Sequence, residues 1–448
     1  MIRFSSFLFI AFVLFAGNSL AQTKKLTLED IYSKNRYGSR GVGPLRWMKD
    51  NKSYSTLEYN AAASGSDIVR YEVESGTKTV LISAAQLVPA PGSKPLSMDD
   101  YEWSGDNSKL LLFTNTKKVW RYNTRGDYWV LDLKSGKLSQ LGKSLPVSSL
   151  MFAKFSPEGS RVGFVSHQNI YVEDISSGVI TQLTKDGGGD IINGTFDWVY
   201  EEELDDRDGF RWSPDGTTIA YWQSDTKGVG TFYLINNTDS NYSKPLPFPY
   251  PKVGTANSAV KVGVVAATGG TSKWFDVPGD PRNNYLARMD FIPGSNEVMI
   301  QQLNRLQNSN KVWIGNTANM QLKLLFTESD SAWVDLHDDI VWLDNNKYFT
   351  WTSEKDGWVH LYKVSRDGKE MKPITKGNFD VVNINCIDPA GGYVYYIASP
   401  ENFTQRYLYR SRLDGKGEAE RVSPAGMAGQ HSYQISADAK YAIHSFEN

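Results

Sequence analysis

The feature that most constrains this chain is a turn that keeps returning. Phe155-Ser156-Pro157-Glu158-Gly159-Ser160 leads into an apolar strand, and Trp212-Ser213-Pro214-Asp215-Gly216-Thr217 repeats it. Looser copies stand at Met48 to Lys52, Gly105 to Lys109, Ile292 to Ser295, Leu343 to Lys347, Asp388 to Gly391 and Ser436 to Lys440. Proline fixes φ at the second turn position, and Asp-Gly supplies the rest of the reversal. Around the turns, short runs rich in Val, Ile, Tyr, Trp and Phe alternate with polar hairpins such as Asp174 to Gly178 and Ser365 to Gly368. Intervals run about 45 to 57 residues, with one of nearly 80 between Asp215 and Gly294. Four short strands per period of about 40 to 50 residues is the signature of a β-propeller blade. The eight copies therefore predict an all-β, eight-bladed β-propeller over residues 46–448. A β-sandwich would not give so regular a period.

Composition narrows the partners. Of 448 residues, 48 are Lys or Arg and 50 are Asp or Glu, a net charge of −2, so nothing draws the chain to nucleic acid or to an anionic membrane. An aromatic content of 13% excludes disorder. The single cysteine, Cys386, excludes an intramolecular disulfide and a cysteine-based zinc cage. The five histidines show no paired spacing such as HExxH, so no metal or other cofactor is expected.

Residues 1–21 have a basic start at Arg3, an apolar run from Phe7 to Ala16 and a small-x-small end at Ser19-Leu20-Ala21. That is the pattern of a cleaved secretory signal, too short in its apolar part for a membrane anchor. The mature chain is expected to be exported, to a bacterial periplasm or beyond, without stable membrane insertion. Residues 22–45 then read as an N-terminal arm, with a short helical segment at Leu26 to Tyr32.

One blade carries an insertion of different character, Gly194 to Leu204. Asp197 is a good N-cap, and the residues after it favour a short helix with acids in its first turns. Glu202 and Glu203 point about 100° apart on such a helix and are placed to grip one small cation. Three acids on a solvated helix end, stabilised by the dipole, is the alternative from spacing alone. A calcium loop would need spaced oxygen ligands that are absent here.

Asp197-Trp198-Val199-Tyr200-Glu201-Glu202-Glu203 resembles the double-glutamate motif of the dipeptidyl peptidase IV family of serine exopeptidases. Lys24 to Tyr37 is similar to that family's N-terminal arm. Val119-Trp120-Arg121 resembles its arginine-bearing strand, Asn169 to Val172 its third-blade strand, and Trp333 to Tyr362 another of its blades. The resemblance runs from about residue 24 to the end. It implies a propeller that caps an α/β-hydrolase domain and clamps a peptide's free N-terminus. Glu202 and Glu203 would hold the ammonium, and Arg121 the carbonyl of the penultimate residue. An ammonium has three donors and two carboxylates supply charged acceptors, so the pair selects an amine terminus. The implied activity is release of X-Pro or X-Ala dipeptides. A homodimer is among the assemblies the resemblance allows. The chain departs from the vertebrate pattern at Asp335-Leu336-His337-Asp338, where a Phe-Arg pair would stand, which alters the outer subsite.

The catalytic residues of such an enzyme are not expected in this chain. No Gly-x-Ser-x-Gly elbow occurs in it, and no strand-helix alternation is there to carry one. His431 and His444 read as blade residues. Tyr441 to Asn448 resembles the inner strands of the closing blade, so the last blade is expected to be incomplete and the chain a truncated form, inactive alone, its α/β-hydrolase domain missing. The alternative is a stand-alone, non-enzymatic propeller that binds peptides.

Overall fold

The computed structural model describes residues 25–34, 36, 37 and 44–448. The expected signal, 1–21, lies outside them, as does part of the arm. The chain divides between Leu45 and Arg46 into two compact units. In the first, Glu29–Ser33 form one turn of π-helix, where the short helical segment was expected. Asp30 there is buried and pairs with Arg36 at 3.5 Å.

The second unit is nearly all-β. Its strands form successive antiparallel meanders in chain order. The first meander runs through Arg46–Trp47, Ser53–Asn60, Gly65–Glu72 and Lys78–Ile82. A second (98–140) and a third (150–182) share one continuous sheet, because Arg125 and Gly126 pair with Met151 and Leu150. The fourth occupies 191–274, and regular four-stranded sheets follow at 284–329, 342–373 and 383–421. A two-stranded hairpin, Gln430–Ile435 with Ala442–Glu447, comes last. Each of the eight recurring turns joins the first strand of one meander to its second. Their side chains explain why. Asp106 accepts from the Ser104 and Ser108 hydroxyls, and Asp215 accepts from Ser213 Oγ at 2.6 Å and Thr217 N at 3.0 Å. The aspartate satisfies the turn's own donors, which is what makes Asx residues turn formers.

The core sits between the sheets. Ile68 and Ile82 of the first meander pack on Leu110, Leu112 and Leu131 of the second. Leu111 and Val130 meet Val162 and Phe164 of the third, and Val165 and Ile170 meet Phe210 and Ile219 of the fourth. The same alternation continues through Trp222 with Ile300, Val312 with Trp351, and Leu361 with Tyr396. A strand covered on both faces loses its alternating pattern, and Val162–Ser166 is buried throughout. Sheets stacked face to face in chain order are the packing of a propeller-type fold. The last hairpin returns to the first meander: Trp47 Nε1 donates to Gln434 O at 3.1 Å, Ala437 N to Asn51 Oδ1 at 3.2 Å, and Tyr441 to Glu74. Among the described residues, that seam is made by side chains and not by strand pairing.

Candidate functional site

The fourth meander departs from the regular pattern in two ways. Its innermost strand is broken. Ile191–Asn193 and Phe210–Trp212 both pair with Thr218–Asp225, in register with Asn193 opposite Gln223 and Phe210 opposite Tyr221. The chain between them leaves and re-enters at one point, where Gly194 N donates to Trp222 O at 3.0 Å and Gly209 N to Gly194 O at 3.0 Å. That neck needs glycine: Gly194 has φ +71°, and a Cβ on Gly209 would lie 2.7 Å from the Gly194 carbonyl carbon. The second departure is a detached hairpin, Thr231–Asn236 with Lys244–Pro249, which accounts for the long interval in the turn repeat. Pro245, Pro247 and Pro249 alternate along its second strand, so its outer edge offers few donors.

The loop extruded at the glycine neck carries the acidic motif as a helix, α1, Trp198–Glu203. Asp197 caps it, accepting from Tyr200 N at 3.0 Å, and is held by the Ser258 hydroxyl. Six residues are too few to be helical on propensity, so packing fixes it. Tyr200 and Leu204 are buried, Tyr200 stacks on Phe196 at 5.4 Å, and its hydroxyl accepts from Leu286 N at 3.0 Å. Arg121 comes from elsewhere, the tip of the long hairpin Lys109–Val119 with Tyr122–Asp132. Trp120 beside it has φ +50°, a costly conformation for a bulky residue. The tip is held because Trp120 packs on Phe248 of the detached hairpin at 4.7 Å.

The three glutamates end in three environments. Glu201 is 4% exposed and faces Arg207, Oε1 to Nε 3.9 Å. Burial pushes its carboxyl up to about 7, with Arg207 opposing the rise and Glu202 adding to it. Glu202 is mostly covered and accepts from Arg121 Nε at 2.5 Å. Glu203 is exposed, has no ion-pair partner among the described residues, and lines a cleft of ≈ 820 Å³ with Trp198, Tyr250, Lys252 and Arg305. The structure thus brings Arg121 and Glu202 together, 81 residues apart in sequence, and places Glu203 next along the same helix. The first two glutamates each face an arginine, and the third faces the cleft.

Sequence reasoning gave Glu201 no role of its own and passed over Arg207 and Asp206, whose side chain is 11% exposed. Burial pushes Asp206 up to about 8 against the pull of Arg288, which reaches it at 3.0 Å. The signal available was the run Asp205-Asp206-Arg207-Asp208, in which a lone arginine among acids marks a pairing residue. His337 and Asp338, in the segment that departs from the vertebrate pattern, line a second cleft of ≈ 510 Å³ with Arg211, Arg288 and Asp290. His431 and His444 lie on the last hairpin, His431 Nδ1 and His444 Nε2 2.9 Å apart.

The comparisons agree with this architecture. The chain is 28% identical over 375 residues to the "Probable dipeptidyl peptidase 4" of Emericella nidulans, covering 79% of this chain and 48% of that protein. It is 25% identical over 436 residues to the dipeptidyl peptidase 4 of Trichophyton rubrum, covering 95% and 54%. The crystal structure of Porphyromonas gingivalis dipeptidyl peptidase 4 superposes with a TM-score of 0.83 at 27% identity, covering 94% of this chain and 58% of that one. The chain therefore spans about half the length of the curated relatives it matches. The sequence model described as the dipeptidyl peptidase IV N-terminal region matches residues 104–448, more than three quarters of the chain, and the chain belongs to that family.

Proposed function

We propose that this chain is the substrate-gating propeller of an exported serine dipeptidyl peptidase, and that it clamps the free N-terminus of a peptide. The acylating serine would come from an α/β-hydrolase domain outside these residues. In this reading the eight meanders are eight blades, the last represented by two strands, and the clamp makes a ruler that puts the bond after the second residue at the nucleophile. The observation that carries it is the convergence of Arg121 on Glu202, with Glu203 beside it and without an ion-pair partner among the described residues. A peptide ammonium has three donors; an acetylated terminus has no charge and one donor. The carboxylates therefore discriminate between them by charge-assisted hydrogen bonds. Arg121 has a 73% exposed side chain, free to turn toward a carbonyl when the ammonium takes over Glu202.

Calorimetric titration of the protein with Ala-Pro-Ala and with its N-acetyl form tests this. Binding of the free peptide alone is expected, weakened about tenfold, or 1.4 kcal/mol, by Glu203→Gln. Equal binding of both peptides would sink the clamp.

A further inference from the structure

We propose that Arg207 and Glu201 form a positioning pair that sets where Arg121 stands relative to Glu202; this rests on the clamp reading. Arg207 sits where it touches both halves of the clamp. Its guanidinium lies over the Tyr122 ring, 4.0 Å from the centroid, and Tyr122 follows Arg121 at the hairpin tip. The same guanidinium faces Glu201, which precedes Glu202 on α1. One side chain thus bridges the residue after Arg121 and the residue before Glu202. Asp205 anchors it through Nη2 at 2.6 Å, and Thr195 Oγ1 donates to its main-chain carbonyl at 3.3 Å.

The pair is poised rather than closed. Glu201 Oε1 and Arg207 Nε are both buried, and neither makes a hydrogen bond among the described residues. At 3.9 Å they stand just outside bonding range, so a small shift of either joins them. A buried carboxylate and a buried guanidinium N–H left unbonded are costly, and closing the gap relieves both. The closing motion draws Tyr122, and Arg121 with it, toward α1. The charged groups around Glu201 are Arg207, Asp205 beyond it, Glu202 on its own helix, and Arg121 bonded to Glu202. With Glu201 ionised, Arg207 is held between it and Tyr122; with Glu201 protonated, the attraction is gone and the tip is freer.

Two measurements on Arg207→Met, Arg207→Lys and Glu201→Gln test the proposal. Hydrogen exchange at residues 116–125 is expected to quicken about tenfold in Arg207→Met, with the other hairpins unchanged and Arg207→Lys intermediate. Affinity for Ala-Pro-Ala is expected to rise with pH between about 5.5 and 7.5 in the parent protein, and Glu201→Gln is expected to flatten that rise. Unchanged exchange at the tip, or an unflattened rise in Glu201→Gln, overturns the positioning role even where the parent binds peptide. A parent protein that binds no peptide overturns the clamp reading instead, and tip exchange still decides whether Arg207 holds the hairpin. Should Arg207→Met fail to fold, Glu201→Gln, which keeps shape and volume, carries both measurements.

Discussion

Glu201, Glu202 and Glu203 are chemically identical and consecutive, yet their environments give them separate work. Glu203 meets solvent, Glu202 an arginine from another sheet, and Glu201 the interior. Burial costs a carboxylate its hydration, so Glu201 moves from its ordinary 4.5 to about 7, and Asp206 from 3.8 to about 8. These shifts fix a sign. Both groups hold protons more tightly folded than unfolded, so their contribution to stability is fully present below the ordinary values of 4.5 and 3.8 and is lost as pH rises from there through the folded values of about 7 and about 8. Each lowers stability by at most roughly 1.4 kcal/mol per pH unit within its window. Urea midpoints are expected to be higher at pH 6 than at pH 8.5, with a shallower fall in Asp206→Asn. A midpoint that climbs with pH would show that Arg288 outweighs burial at Asp206.

At the level of elements, the glycine neck decides whether α1 exists as a site. Gly194 and Gly209 approach so closely that the broken inner strand keeps pairing with Thr218–Asp225 as though uninterrupted. Gly209→Ala pushes a methyl into backbone and is expected to cost about 1–3 kcal/mol and to weaken peptide binding. Gly426→Ala meets nothing within 4 Å and should leave both unchanged. How much was legible in the sequence follows the range of each interaction. The recurring turns are local chemistry, Asp106 and Asp215 bonding their own neighbours, and each one marks a strand junction. The N-cap at Asp197 was readable for the same reason. The detached hairpin showed only as a long interval, because nothing local says that 231–249 leaves its sheet. The family resemblance singled out Arg121 and Glu202 as ligands of a peptide, not as partners of each other. Their contact spans 81 residues and depends on how two sheets stack. The burial of Glu201 is set by Arg207 and by the packing under α1, which periodicity does not encode.

For the whole molecule, the first strands of successive meanders, and the loops leading into them, are tied across the seams. Arg46 pairs with Asp100, Lys154 with Asp208, Arg211 with Asp290 at 3.8 Å, and Arg288 with Asp338. Apolar clusters stack the sheets, and these ion pairs link neighbouring inner edges. The site uses this frame: α1 grows from the inner strand of one sheet, Arg121 reaches it from another, and the detached hairpin steadies Trp120. The measurement that bears most directly on the central claim is a crystal structure of the protein with Ala-Pro-Ala. The account predicts the peptide ammonium within about 2.7–3.2 Å of both the Glu202 and Glu203 carboxylates, with Arg121 turned to the peptide carbonyl. An amino terminus seated elsewhere, with Arg121 still on Glu202 and Glu203 in solvent, would contradict it.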